Sequence, residues 1–363
     1  MRHPSDLTAL AGSTVLVTGG AGLIGSRITA RLRALGARPI VLCTMNAYPE
    51  HVYANLFGVR SADPDVVLGD IRNTALVREL VAASDYVIHA AALADVAACT
   101  REPLAAIDTN VAGTQTVLDA VAATDRIRRT VFVSSASVYG DGNPKETDNA
   151  ELLTMRQLLE CVHGRIPSQF HESARKRPVS VYANTKAWGE EQTALVLGQV
   201  GTSYAVVRYF SVYGEPQTVK QNSHSWVVAW FAARAHLGLP LHLNGGGRQV
   251  RDMVHVDDAA EGTLRALVSP QAHTETVNIG TGVPTTVRKI AELVREHYPS
   301  TTFLDTPLPA GDPLGGYAAI HRMENILGWK PEVTVAQGVA RYVAWLRNTP
   351  AAAPGWLREP TAA

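Results

Sequence analysis

The stretch STVLVTGGAGLIGS, Ser13–Ser26, places a short apolar run, Val15–Val17, directly before a cluster of glycines. After the glycines, apolar residues recur at three- and four-residue steps, which predicts a helix over Leu23–Leu35. Bare backbone in such a strand-to-helix turn lets a phosphate approach the N–H groups at the helix start. The stretch therefore predicts an anion site formed by Gly19, Gly22 and Gly25. A tight turn without a ligand is the alternative.

The same alternation of short apolar runs and helical segments continues through the first half of the chain. Further predicted strands are Pro39–Cys43, Val66–Leu68, Tyr86–His89, Val131–Val133 and Tyr204–Arg208. Short apolar strands that alternate with helices predict an α/β fold with a Rossmann-type, doubly wound parallel sheet. After residue 214 this rhythm ends, and we expect a smaller C-terminal α/β lobe. The predicted organisation is 1–214 with an insertion at 141–181, then 215–349, and a loosely ordered tail at 350–363.

The composition excludes several classes of protein. The formal net charge of the 363 residues is +0, which gives no basic field for nucleic acid or an anionic membrane. Three cysteines, without CxxC spacing, indicate neither a metal site nor a disulfide framework. No segment has the length and apolar character of a signal peptide or a membrane span, so we expect a cytoplasmic protein.

Two further stretches carry residues suited to chemistry. Ser135 follows the fifth predicted strand, and Tyr182 and Lys186 are four apart on a predicted helix, where they share one face. A free phenol is a poor base at neutral pH, and a nearby ammonium would lower its pKa. The pattern predicts Tyr182 as a base, Lys186 as its charged neighbour and Ser135 as a hydrogen-bond partner of the reacting oxygen.

The second strand lacks the acidic residue that usually holds a cofactor ribose in such folds. Cys43 stands there, and Thr44 and Asn46 are the candidates for the ribose hydroxyls. Because no arginine follows to bind a 2′-phosphate, NAD is favoured and NADP is not excluded. Asp70 is a candidate acceptor for the adenine amino group; its alternative is a helix cap. Small residues at Ala90, Ala91 and Ala92 leave room for a cofactor.

The chain resembles the extended short-chain dehydrogenase/reductases of the NAD-dependent epimerase/dehydratase family, which act on nucleotide sugars. The resemblance extends from Thr14 to about Leu346 and rests on motifs in the family's order: TGGAGLIG, GDIRN, HAAA, NVAGT, SSASVYG, YANTK, RYFSVYG, RQVRDMVHVDD, NIGTG and LGW. It implies that Ser135, Tyr182 and Lys186 form the catalytic triad. It assigns further cofactor contacts to Leu23, Ile24, Ile71, Asn110, Tyr209 and Ser211, together with Tyr182 and Lys186. Substrate contacts fall on Ser135, Ser137, Ser211 and, for phosphate, Arg251. A homodimer formed through the helices Pro103–Ala123 and Tyr182–Val200 is also expected.

Family members share hydride transfer from C4 of the sugar to NAD and differ in the steps that follow. The 4,6-dehydratases and the decarboxylases carry acidic residues after the catalytic serine or threonine, where this chain has Ala136 and Ser137. The resemblance therefore favours a nucleotide-sugar 4-epimerase with a UDP- or dTDP-sugar as substrate. An NAD(P)H-dependent 4-ketoreductase is the alternative; a dehydratase, a decarboxylase and a non-catalytic dinucleotide sensor are disfavoured.

One family arginine that clamps the substrate diphosphate is missing from Pro309–Asp312. A sharper hypothesis for the insertion follows: it covers the site, and Arg175, Lys176 or Arg177 replaces the missing contact. The alternative is a solvated surface excursion.

Overall fold

The computed structural model describes residues 6–141, 150–163, 166–220, 226–308, 313–349 and 352–358. The strands are β1 Thr14–Thr18, β2 Arg38–Cys43, β3 Val66–Leu68, β4 Tyr86–His89, β5 Arg129–Ser135, β6 Ser168–Phe170, β7 Tyr204–Tyr209, β8 Ser211–Tyr213, β9 Leu241–Asn244, β10 Val250–His255, β11 Glu275–Ile279, β12 Pro284–Thr286, β13 Phe303–Thr306 and β14 Gly316–Ala318. The helices are α1 Leu23–Ala34, α2 Glu50–Val52, α3 Thr74–Ala82, α4 Val96–Arg101, α5 Pro103–Ile107, α6 Gly113–Ala122, α7 Ala150–His163, α8 Val181–Gln199, α9 Val227–His236, α10 Val256–Val268, α11 Val287–His297, α12 His321–Leu327 and α13 Val335–Arg347.

A seven-stranded parallel sheet forms the centre of the molecule, in the order β11-β7-β5-β4-β1-β2-β3. Its central strands are largely buried because helices cover both faces; all five residues of β1, for example, are buried. One face packs on α1 and α10, and the other on α3, α6 and α8. The sequence prediction of a doubly wound Rossmann-type sheet is confirmed.

The smaller lobe has its own core between α9, α11 and α13. Its strands form small sheets: β12-β10-β8, β13-β9 and β14-β6. The last of these joins the insertion to the lobe, since β6 runs parallel to β14. No described helix is both long enough and apolar enough to cross a bilayer.

The structure differs from a linear division of the chain at residue 214. Strand β11 returns to the large sheet and pairs with β7 from Glu275 to Ile279, while α10 packs on α1. The five residues of β11 include only two apolar side chains, Val277 and Ile279, so the local sequence does not indicate that this strand joins the large sheet. The tail also differs from expectation, because Leu357 is buried and Trp356 lies 6.3 Å from Trp230, ring centroid to ring centroid.

Candidate active site

The glycine turn connects β1 to α1 at the carboxyl end of the sheet. Gly19 has a φ of +71°, and a Cβ there would lie 2.8 Å from the Ala91 Cα. A Cβ on Gly25 would lie 2.2 Å from the Gly19 carbonyl oxygen, so both positions require glycine. Gly22 is the N-cap of α1 and provides no side-chain cap, which leaves the N–H groups of the first turn, beginning with Leu23 and Ile24, for a ligand. These features fit a dinucleotide pyrophosphate.

At the end of β2, Cys43 stands where an acidic residue usually holds the cofactor ribose in such folds, and its thiol contacts backbone instead. The Cys43 thiol accepts hydrogen bonds from the backbone N–H groups of Met45, at 3.5 Å, and Ala21. The thiol therefore ties β2 to the glycine turn, and burial raises its pKa. The predicted ribose ligands lie next to it and contact each other, since Thr44 Oγ1 donates to Asn46 Oδ1 at 2.7 Å.

Asp70, the predicted adenine ligand, already has a partner. Arg72 donates to its two carboxylate oxygens, at 3.0 Å from Nε and 2.7 Å from Nη2, and these hydrogen bonds hold the pKa of Asp70 below its usual range. The alternative role as a helix cap is wrong, because Asn73 is the N-cap of α3 and accepts from the Leu76 N–H. The neighbouring Ile71 is buried in the core beneath α6.

The loop after β4 is fixed by buried polar contacts. The Ala91 N–H donates to Thr18 Oγ1 at 3.2 Å, so Ala90–Ala92 lie beside the glycine turn. Asn110 is buried, accepts from the Leu93 N–H at 2.8 Å and donates to Thr185 Oγ1 at 3.1 Å. Asn110 thereby joins this loop to α8. Its two side-chain groups are occupied by protein, which indicates that Asn110 positions the loop after β4.

Ser135, Tyr182 and Lys186 meet where β5 ends and α8 begins. A hydrogen bond links Ser135 to the Tyr182 phenol. The Lys186 ammonium donates to the Val133 carbonyl at 2.8 Å and lies 5.9 Å from the Tyr182 ring centroid. Ser180 caps α8 by accepting from the Ala183 N–H, which fixes the first turn that carries Tyr182. The structure thus brings the three predicted catalytic residues together.

The expected lowering of the Tyr182 pKa does not occur in the protein alone. Burial raises the pKa of Tyr182 to about 12, although the hydrogen bond with Ser135 acts in the opposite direction. The reason is geometric, since the Lys186 ammonium points to a backbone carbonyl and not to the phenol oxygen. Burial also lowers the pKa of Lys186 to about 8.

The predicted substrate residues divide into two groups. Ser135 and Ser137 lie on the short turn after β5, and the buried Ser137 Oγ has no hydrogen-bond partner among the described residues. An unpaired buried hydroxyl is suited to a sugar hydroxyl. Ser211 begins β8, beside Met253 of β10. Arg251 is directed to backbone, since its Nη1 donates to the carbonyls of Val250 and Pro313.

Tyr209 is a predicted cofactor contact, but its side chain is occupied within the protein core. It is buried in the core between the sheet and α10, and its hydroxyl shares a hydrogen bond with Thr263. The alternation of side chains along β7 explains this placement, because Arg208 then faces the opposite side of the sheet.

The insertion lies against the sheet edge, and its hypothesised phosphate ligands are not equivalent. Lys176 forms ion pairs with Glu190, at 3.1 Å, and with Glu191. These carboxylates occupy the ammonium, so Lys176 is not a free phosphate ligand. The backbone N–H of Arg177 donates to the Val138 carbonyl at 2.8 Å. Pro309–Asp312, where the family arginine is missing, lies outside the described residues.

The sequence does not predict a buried polar network that lies behind the three predicted catalytic residues. Arg208 on β7 donates to both carboxylate oxygens of Glu190 on α8, at 2.8 and 2.7 Å, and both side chains are 4% exposed. Ser134 Oγ donates to Glu190 Oε1 at 2.5 Å, and Arg208 also donates to the Tyr139 hydroxyl. Glu190 comes four residues after Lys186, and this helical spacing is the sequence pattern that places Glu190 on the same face of α8. The network fixes α8 to β5 and β7 beside the reacting groups.

The family model described as NAD dependent epimerase/dehydratase family matches residues 15–157 and 160–280. The chain belongs to this family. It is 31% identical over 338 residues to the putative UDP-glucose 4-epimerase of Methanocaldococcus jannaschii, a match that covers 92% of this chain and 98% of the relative.

Two solved structures agree with this assignment. The UDP-glucose 4-epimerase of Thermotoga maritima with UDP-glucose has a TM-score of 0.78 and 26% identity, over 93% of this chain and 99% of the other. The UDP-glucose 4-epimerase of Thermus thermophilus in complex with NAD has a TM-score of 0.76 and 27% identity, over 92% and 99%. These relatives support the epimerase prediction better than the ketoreductase alternative, and the predicted family and NAD cofactor are confirmed.

Proposed function

We propose that the chain is a nucleotide-sugar 4-epimerase that uses NAD and acts on a UDP- or dTDP-sugar. The observation that carries this proposal is the Ser135–Tyr182 hydrogen bond, with the Lys186 ammonium beneath the phenol ring. Neither Ala136 nor Ser137, which follow the serine, is acidic, so the turn offers no general acid or base for eliminating water or carbon dioxide. Bound NAD supplies reversible hydride transfer at C4 of the sugar.

The residues of the chain supply binding and proton transfer. Gly19, Gly22 and Gly25 would hold the NAD pyrophosphate, and Lys186 the nicotinamide ribose. Tyr182 takes the proton of the C4 hydroxyl and later returns it, while Ser135 holds the same oxygen by a hydrogen bond. Because Ser137 Oγ has no partner among the described residues, it is available to a neighbouring sugar hydroxyl. The site must also let the 4-keto sugar present its opposite face, while the second lobe holds the nucleotide.

We also propose that the protein is a homodimer and cytoplasmic. Leu104 and Ile107 on α5 are 75% and 44% exposed, and Leu195 on the adjacent α8 is 59% exposed. Exposed apolar residues on neighbouring helices are typical of a subunit interface. Cys43, Cys99 and Cys161 are unpaired, which suits a reducing compartment. Sedimentation analysis of Leu104→Glu tests the dimer, since a charge at the interface should give monomers.

The test of the reaction is to incubate the purified protein with UDP- and dTDP-sugars, without added cofactor, and to follow the sugars by NMR. A 4-epimerase that retains NAD converts one epimer to the other. Turnover that requires added NAD(P)H would establish the ketoreductase instead. Tyr182→Phe should abolish turnover and keep NAD bound. Tyr204→Phe is the matched control, because Tyr204 lies at the amino end of β7, away from the site.

A further inference from the structure

Lys220 lies on the segment that leads from β8 into the second lobe, and its ammonium rests on aromatic rings. Its Nζ is 3.8 Å from the centroid of the Tyr48 ring and 5.6 Å from that of the Trp226 ring. None of the described carboxylates forms an ion pair with it. Burial lowers the pKa of Lys220 from its ordinary value. A half-buried ammonium held by ring faces retains hydrogen-bond capacity for an anion.

The position of Lys220 follows from its neighbours. Tyr48 comes after β2 and packs in the apolar cluster that contains Ala21 and Leu23 of the glycine turn. Asp95, which follows β4, is close enough for its charge to act on both Lys220 and Tyr48. Tyr48 and Asp95 follow β2 and β4, the two strands that flank β1, so the residues around Lys220 come from loops on both sides of the glycine turn.

The other basic residues near this turn have carboxylate partners. On α1, Arg27 pairs with Asp257 at 2.6 Å and Arg31 with Glu261 at 3.1 Å, both on α10. These pairs direct the two guanidinium groups toward α10. The glycine turn itself offers backbone N–H groups and a helix dipole, worth only a partial charge. A pyrophosphate carries two negative charges, so a further cation near this turn would strengthen its binding.

We propose that Lys220 binds the pyrophosphate of the dinucleotide from the side of the second lobe, with the rings of Tyr48 and Trp226 holding its ammonium in place. This inference rests on the proposed function and deepens it. Lys220 belongs to the connection between the lobes, so retention of the cofactor depends on the position of that connection relative to the glycine turn. A 4-epimerase must keep its NAD through the catalytic cycle. The NAD affinity that Lys220 contributes offsets the affinity lost because Cys43 stands in place of the ribose-binding acid.

The experiment compares wild type with Lys220→Met, Lys220→Arg and Lys289→Met, the last being an exposed lysine on α11. Bound NAD per chain is measured after purification, and the NAD dissociation constant is measured by calorimetry on cofactor-free protein. Lys220→Met should weaken NAD binding about tenfold or more, as for a lost charge-assisted hydrogen bond. Lys220→Arg should retain most of the affinity, and Lys289→Met should match wild type. Equal melting temperatures of the cofactor-free forms would show that the variants fold.

Unchanged NAD affinity in Lys220→Met would overturn the inference. A loss of UDP binding with unchanged NAD binding would also overturn it, because Lys220 would then serve the substrate diphosphate. If the wild-type chain fails to bind NAD at all, the proposed function itself is refuted, and this inference with it. Failure of the inference alone is thus distinguishable from failure of the function.

Discussion

Replacing Arg208 by Met should destabilise the protein far more than an average substitution. Glu190 would remain 4% exposed and lose the guanidinium that donates to both its oxygens. Removing one partner of a buried ion pair costs about 3–5 kcal/mol, because the remaining charge is uncompensated. Lys176 and Ser134 still contact Glu190, so we expect a value near the lower end, about 3 kcal/mol.

The assay is equilibrium urea unfolding followed by circular dichroism, for wild type, Arg208→Met, Glu190→Gln and the double variant. The double variant should lose less than the sum of the single losses, because it leaves neither charge buried alone. Arg31→Met is the matched control, since its ion pair with Glu261 is partly exposed and should contribute about 1 kcal/mol or less. Strictly additive losses, or a loss below that of the control, would refute the reasoning.

Two further substitutions test other parts of the site. Gly25→Ala places a Cβ 2.2 Å from the Gly19 carbonyl oxygen, so α1 must shift. We expect the purified variant to contain little bound NAD, measured by chromatography of the released nucleotide. Full NAD occupancy would contradict the packing argument. Burial lowers the pKa of His89 from 6.5 to about 3, so the unfolded chain binds a proton that the native protein does not, and stability is lost as pH falls between these values. His89→Gln removes this titration, and its stability gap to wild type should narrow by about 1.4 kcal/mol per pH unit below about pH 6, measured by urea unfolding at pH 7 and 5.

Much of the central sheet could be predicted because its strands are short, apolar and separated by helical periodicity. Val15–Val17 and Tyr86–His89 are clear for this reason. The destination of Val277–Ile279 could not be predicted, because a short strand-like segment does not specify which sheet edge it joins. The pairing of β6 with β14 is likewise a long-range contact without a local pattern.

In the candidate site, too, local patterns could be predicted from the sequence and long-range contacts could not. The glycine turn and the Tyr182–Lys186 spacing are local patterns whose chemistry follows from residue type and position. Glu190 is visible at helical spacing from Lys186, but its partner Arg208 comes from another strand. The raised pKa of Tyr182 depends on burial and on the direction of the Lys186 ammonium, and neither is encoded in spacing alone.

Because β11 returns to the edge of the large sheet, the two lobes are not formed by two consecutive segments of the chain. Part of the second lobe, including α9 and β9, lies between β7 and β11 in the chain, and the large sheet is completed only when the chain returns at β11. A fragment ending at residue 214 would leave one edge of β7 unpaired along the five positions that β11 covers. An open strand edge of that length is a template for intermolecular pairing. The domain that contains the large sheet is therefore complete only after the polypeptide has been made well beyond α8.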